Sequence, residues 1–152
     1  MRALTEALAL HPIRGLWRDR HFVLALLTAL PAWALLTALF PGPAGAVTPA
    51  ALLYRVILAP LVEELAFRGA LQGWLLEAGW GRRLLGLSRA NLAVSVLFCA
   101  AHAAFHPPLW ALAVAVPSLV LGHLRERFGS TVPSILVHGW YNGGHLLLSG
   151  AP

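Results

Sequence analysis

The sequence has no lysine, a single cysteine and only six acidic residues, and charged residues make up just 11% of the chain. Soluble domains carry about 25% charged residues. A chain this poor in charge cannot cover its own surface in water, which excludes a soluble globular protein. Intrinsic disorder needs low hydrophobicity and high charge; here 59% of residues are apolar, so disorder is excluded too. Cys99 cannot form an internal disulfide, and it lies within an apolar run as a small buried hydrophobe. All eleven basic residues are arginine, giving a net charge of +5. They are scattered in short segments between apolar runs and form no dense patch, which argues against a nucleic-acid partner.

What the chain does have is apolar length. Its 152 residues have a mean hydropathy of +0.72. A bilayer span takes about 20 apolar residues, so about five spans would use roughly 100 residues and leave the rest for ends and loops. The pattern predicts an all-α polytopic membrane protein, a bundle of about five transmembrane helices preceded by an N-terminal interfacial helix interrupted at Pro12. The expected spans are 22–40, with a kink at Pro31, then 51–78, 91–105 (begun as early as Leu84), 109–124 and 131–149. The linker 41–50 is turn-rich and uncharged, and 79–90 is a basic loop with glycine breakers. No charge-free apolar region before residue 20 ends at a small-residue cleavage site, so no cleavable leader is expected. The division expected is 1–48 for the interfacial helix and first span, and 49–149 for a helical core.

Arginine orients this arrangement. Arg2, Arg14, Arg18 and Arg20 precede the first span, Arg82, Arg83 and Arg89 follow the second, and Arg125 and Arg127 follow the fourth. The linkers at 41–50 and 106–108 and the tail at 149–152 have none. The positive-inside rule then places the N-terminus in the cytoplasm and the C-terminus outside.

Ionisable groups in a bilayer cost several kcal/mol each unless paired or hydrated, so each one needs a reason. The second span carries Glu63, Glu64 and Arg68 in PLVEELAFRGAL; the third carries His102; the fifth carries His138, Asn142 and His145. Glu64 and Arg68 are four apart on one helix face, with the acid on the favoured N-terminal side. Glu63 is rotated from Glu64 by about 100° and falls outside that pair. One reading ties both carboxylates into a structural ion-pair knot. The other leaves Glu63 for general acid–base chemistry. His102 by itself reads as a core histidine. His138 and Asn142 are four apart on one face. They read either as glue between helices or as two donors aimed at one point. Together, the acid, two histidines and an amide on three helices provide a base, its partner and an oxyanion clamp for hydrolysis by activated water. The same set contains plausible zinc ligands.

Three motifs occur in order: EELAFR at 63–68 fits EExxxR, Phe98 to His102 fits FxxxH, and His138 to Asn142 fits HxxxN. On three separate helices, these resemble the CPBP family of intramembrane proteases, which includes the CAAX prenyl endopeptidases and the bacterial Abi-type proteins. The resemblance covers about residues 50–147. It implies that Glu63 and His102 activate the attacking water and that His138 and Asn142 stabilise the oxyanion. It implies supporting roles for Glu64, Arg68 and Phe98. No metal or other cofactor is implied, zinc being the alternative. The chain has room for fewer helices than a CAAX endopeptidase. It is more similar to a short bacterial subgroup that processes C-terminal membrane-anchoring sorting signals of exported proteins, which implies the bacterial inner membrane as location and a membrane protein or peptide as substrate. A non-enzymatic immunity or partner-binding protein of the Abi type is the second reading. A metal or proton conductor is a third, disfavoured because the polar groups cluster instead of threading the bilayer.

Overall fold

The computed structural model describes residues 6–39 and 46–149. The expected beginning of the N-terminal helix at 1–5, the end of the first span at Phe40 and the linker residues 41–45 lie outside the described residues. The described chain is mostly helical, with one short hairpin, so the all-α class stands. It divides into two compact units, one built from 6–13 and 63–134, the other from 14–39, 46–62 and 135–149.

Helix α1 spans Arg20–Leu39. Asp19 starts it by accepting hydrogen bonds from the backbone N–H groups of His21 at 2.9 Å and Phe22 at 3.2 Å, which satisfies donors that have no partner within the helix. The helix continues through Pro31. Its buried stripe, Phe22, Ala25, Ala29 and Trp33, has helical spacing, while Leu24, Leu27, Leu30, Leu35 and Leu39 face outward. Helical backbone resumes at α2 (Pro49–Leu52), capped by the Thr48 hydroxyl, which accepts from Ala51 N–H at 3.2 Å, with Pro49 at the first turn. It continues as a π-helical segment Leu53–Leu58, α3 (Ala59–Glu64), a second π segment Leu65–Gln72 and α4 (Gly73–Glu77). Neither π segment is visible in the hydropathy pattern.

The basic loop contains a hairpin that the sequence reading did not anticipate: β1 (Arg83–Leu84) pairs antiparallel with β2 (Leu87–Ser88). Its two-residue turn puts Leu85 at φ 51° and Gly86 at φ 87°. Both are left-handed, as a tight hairpin turn requires. Ser88 then caps α5 (Arg89–Ala103), accepting from Asn91 N–H at 2.9 Å. This helix therefore starts at Arg89 and not at Leu84. After Pro107 come α6 (Pro108–Ala113) and α7 (Ala115–Phe128), broken at Val114. Pro117 explains the break, because it has no N–H to offer the Ala113 carbonyl. Gly129 at φ 61° ends α7, and α8 spans Val132–Ser149.

Two helical stretches, Arg20–Leu39 and Pro108–Phe128, are long and apolar enough to cross a membrane by length and composition. Only 22% and 33% of their apolar windows are buried, whereas the core helix of a soluble protein would be mostly buried. At 15 residues, α5 is apolar but shorter.

The N-terminal segment differs from the helix expected there. Among the described residues before α1, only Glu6 and Ala7 are α-helical, Leu16–Arg18 form a single 3-10 turn, and Ala9 has φ 50°. The reason lies in its partners. Thr131 donates its N–H to Ala9 O at 3.0 Å and its hydroxyl to Leu8 O at 2.7 Å, while the Ser130 hydroxyl donates to His11 O at 2.7 Å. Pro12 also pushes His11 out of helical conformation.

In the first unit, α5 packs against α7 and against the π segment Leu65–Gln72. Leu75, Ala90 and Val94 form an apolar cluster flanked by Phe67, Leu71, Leu76 and Ala93. Beside it runs a polar seam. Gln72 donates to Gly122 O at 3.1 Å and to Glu126 at 2.8 Å, Ser88 donates to Glu126, and Asn91 Nδ2 donates to Leu119 O at 3.0 Å. Gly122 makes this seam possible, because a Cβ there would sit 2.0 Å from Asn91 Oδ1. Asn91 is buried and held at both ends, so it has nowhere to go. Gly122→Ala should therefore destabilise the protein by about 1–3 kcal/mol through overpacking, read as a lower thermal midpoint in detergent; an unchanged midpoint would contradict this packing.

Candidate active site

Arg68 sits at the centre of the first unit. It and Glu64 are both 0% exposed. Their spacing of one helical turn places Arg68 Nη1 at 3.1 Å from Glu64 Oε1. The other arm of the guanidinium, Nη2, donates to the Ser118 hydroxyl at 2.7 Å and the Ser118 carbonyl at 3.1 Å. The Ser118 hydroxyl donates to Ser95 at 2.9 Å, and Ser95 donates to Asn91 Oδ1 at 3.3 Å. The Arg68 carbonyl accepts from Arg125 Nε at 3.2 Å. One arginine thus ties the π segment Leu65–Gln72 to α5 and α7.

The guanidinium also lies over the Phe98 ring, 4.6 Å from its centroid, within the range of a cation–π interaction. Phe67 meets Phe98 edge-on at 5.1 Å. On the same face of α5, the His102 ring lies 4.4 Å from Phe98, centroid to centroid. His102 Nδ1 is 2.9 Å from the Phe98 carbonyl oxygen. A carbonyl only accepts, so the contact suits a protonated Nδ1, and in the neutral imidazole that tautomer leaves the Nε2 lone pair open. The His106 ring stacks beyond His102 at 5.8 Å. Glu63 is half-buried on α3 next to fully buried Glu64. The first unit therefore brings together Glu64, Arg68, Phe98 and His102, with Glu63 adjoining the ion pair along the chain.

The second unit carries His138 and Asn142 one turn apart on α8, with His138 buried. Several side chains fix this helix. Trp33 Nε1 donates to Tyr141 O at 3.0 Å, Trp140 Nε1 donates to Leu26 O at 3.1 Å, and the Tyr141 hydroxyl donates to Ala25 O at 2.8 Å. Asn142 Nδ2 donates to the Arg55 carbonyl at 3.0 Å. Glycines admit the close neighbours: a Cβ at Gly139 would sit 2.6 Å from Val56 O, and one at Gly144 would sit 2.0 Å from the Trp33 ring. His145, on the same face as His138, lies 2.7 Å from the Ser149 hydroxyl through Nδ1.

Sequence reasoning missed Ser118, Ser95 and Asn91. Serine is common in apolar helices and gives little signal there, and nothing local says that Ser118 will meet an arginine fifty residues away. Among the described residues, no group of three or more His, Cys, Asp or Glu side chains is placed to hold a metal ion.

Residues 45–144 match the family model described as type II CAAX prenyl endopeptidase Rce1-like. The chain belongs to this family. All three motifs lie inside the matched region. No curated protein and no solved structure matches the chain. Membership implies a membrane-embedded, CAAX-type intramembrane endopeptidase, in keeping with the two long apolar helices.

For this Rce1-like chain, the ion pair sets a structural expectation. Removing one partner of a buried pair leaves an uncompensated charge and costs about 3–5 kcal/mol. Arg68→Ala should therefore sharply lower the yield of folded protein, measured as the monodisperse fraction by size-exclusion chromatography in detergent. Arg68→Lys should rescue it poorly, because an ammonium lacks the fork that reaches Glu64 and Ser118 together. Wild-type yield from Arg68→Ala would refute this role.

Proposed function

We propose that this protein is a glutamic-type, metal-free intramembrane endopeptidase of about five spans with a cytoplasmic N-terminus, and that it processes the C-terminal anchor of an exported protein in a bacterial inner membrane. In this reading the Glu63 carboxylate, with His102, takes a proton from a water whose oxygen attacks the scissile carbonyl carbon. The negative charge that develops on the carbonyl oxygen is met by donors from His138 and Asn142. The tetrahedral intermediate then collapses, the C–N bond breaks, and the proton taken from water passes to the leaving amine. Glu64, Arg68 and Phe98 hold the base side of the site.

The observation that carries the reading is the Arg68 hub. The same guanidinium pairs with Glu64 of the first motif and stacks on Phe98 of the second, and Phe98 supports His102 through both its ring and its carbonyl. In the neutral imidazole, an Nδ1–H donated to that carbonyl leaves Nε2 as the proton acceptor that a base needs.

Depth supports an exported substrate. Glu63 is eight residues from Arg55, at most about 12 Å along a helix, and fourteen from the inner end of the same helical stretch at Glu77. His102 lies one residue before the end of α5, and Asn142 seven before the end of α8. With Arg55 at the outer end of its span, these groups fall at mid-membrane or in the outer half. A substrate cut near its outer membrane boundary fits that depth.

Two experiments test the proposal. Glu63→Gln and His102→Ala should abolish cleavage of a membrane-anchored reporter substrate while leaving insertion intact. Loss of one oxyanion donor in Asn142→Ala or His138→Ala should lower kcat by about 10²–10³; normal turnover by Glu63→Gln would end the glutamic mechanism. Reporter fusions in the 41–50 and 79–90 linkers should read out on opposite sides of the membrane, and a shared side would end the proposed topology.

A further inference from the structure

Asn142 rests on an unusual acceptor. In an α-helix the Arg55 carbonyl would bond the N–H of Ala59, and in a π-helix the N–H of residue 60. Here the Ala59 N–H is taken by the Tyr54 carbonyl in the π register of Leu53–Leu58. Residue 60 is proline and has no N–H. The Arg55 carbonyl is therefore left without either helical donor, and Asn142 Nδ2 donates to it at 3.0 Å.

This contact determines more than distance. A carboxamide has an acceptor end and a donor end that are nearly alike in shape. A backbone carbonyl accepts only from the donor end, so the orientation of the Asn142 amide is set by Arg55 O. The second Nδ2 hydrogen points away from the first and remains for another acceptor. One turn earlier on α8, Gly139 has no side chain to hold off the Val56 carbonyl, since a Cβ there would lie 2.6 Å from it. The close approach that brings Asn142 to Arg55 is thus built into both elements.

We infer that Pro60 is a positioning residue for Asn142: by denying the Arg55 carbonyl a donor within its own helix, it creates the acceptor that orients the Asn142 carboxamide. The inference rests on the reading of Asn142 as an oxyanion donor, and it extends the machinery to a residue outside the three motifs. A helix-breaking residue that served only to shape the chain would have no such link to one side-chain amide.

The test restores the missing N–H. In Pro60→Ala, and in Pro60→Ser as a second variant with the same backbone donor, the helix competes with Asn142 for the Arg55 carbonyl. Removing proline from a helix interior also favours the helix, so the thermal midpoint should hold or rise. In the full-length protein in detergent micelles without substrate, the Asn142 side-chain amide resonance of 15N-labelled protein, identified by its loss in Asn142→Ala, should shift upfield in the proton dimension. With a membrane-anchored reporter substrate, kcat should fall by about tenfold with KM unchanged, as for a misplaced catalytic group. In an Asn142→Ala background, Pro60→Ala should have no further effect on kcat. An unmoved amide resonance, a wild-type kcat, or an equal loss of kcat in the Asn142→Ala background would each overturn the inference. Full turnover by Asn142→Ala alone would instead sink the oxyanion role, while the amide resonance, read without substrate, would still decide whether Pro60 orients this side chain.

Discussion

A buried arginine in a lipid-facing chain imposes conditions on everything around it. Arg68 carries a charge that cannot leave in any ordinary protonation equilibrium, and it has no access to solvent. Its charge needs a carboxylate, and its N–H groups need acceptors. Glu64 supplies the first from one turn away, and the Ser118 hydroxyl and carbonyl supply the second from α7. Phe98 closes the face of the guanidinium. Three elements are thereby fixed relative to one another by one planar group. The net energy of such a pair over an apolar replacement is small, whereas the cost of breaking it is large. Its value is that wrong arrangements of these elements leave a charge stranded.

The second unit is held by a different means. Its polar contacts are mostly side-chain donors to backbone carbonyls: Trp33 to Tyr141, Trp140 to Leu26, Tyr141 to Ala25 and Asn142 to Arg55. Inside a regular helix a carbonyl already has a donor, yet it keeps a second lone pair. Large aromatic residues use that spare capacity at the surface of α1 and α8 while their rings bury apolar area. The glycines of α8 remove side chains where backbone must approach. Specificity in this unit is written in backbone geometry more than in charge.

Proline acts at three places with three results. At Pro31 the helix runs on; at Pro117 the lost donor coincides with the break between α6 and α7; at Pro60 it coincides with a π register and an open carbonyl. The residue is the same each time and removes the same N–H. What differs is the backbone around it, and at Pro60 the Arg55 carbonyl is met by Asn142.

By itself the sequence determined the helical class, the approximate extent of the apolar helices, the Glu64–Arg68 spacing and the order of the three motifs. The class and extents follow from composition and apolar length, the motif order is read directly from the chain, and the Glu64–Arg68 pairing follows from periodicity within one helix, where residues four apart share a face. The hairpin at 83–88 was not legible, because two-residue strands have too few residues to show alternation. The N-terminal segment read as helix from its leucines and alanines, but Ser130 and Thr131 hold its carbonyls elsewhere. Only the tertiary structure decided that Arg68 meets Ser118, that the His102 ring turns Nδ1 to the Phe98 carbonyl, and that Asn142 answers to Arg55. Those partners lie fifty or more residues away or depend on the exact rotation of a ring. Hydropathy and spacing describe which side of a helix is buried; the packing of separate helices selects the atom that each buried polar group finally meets.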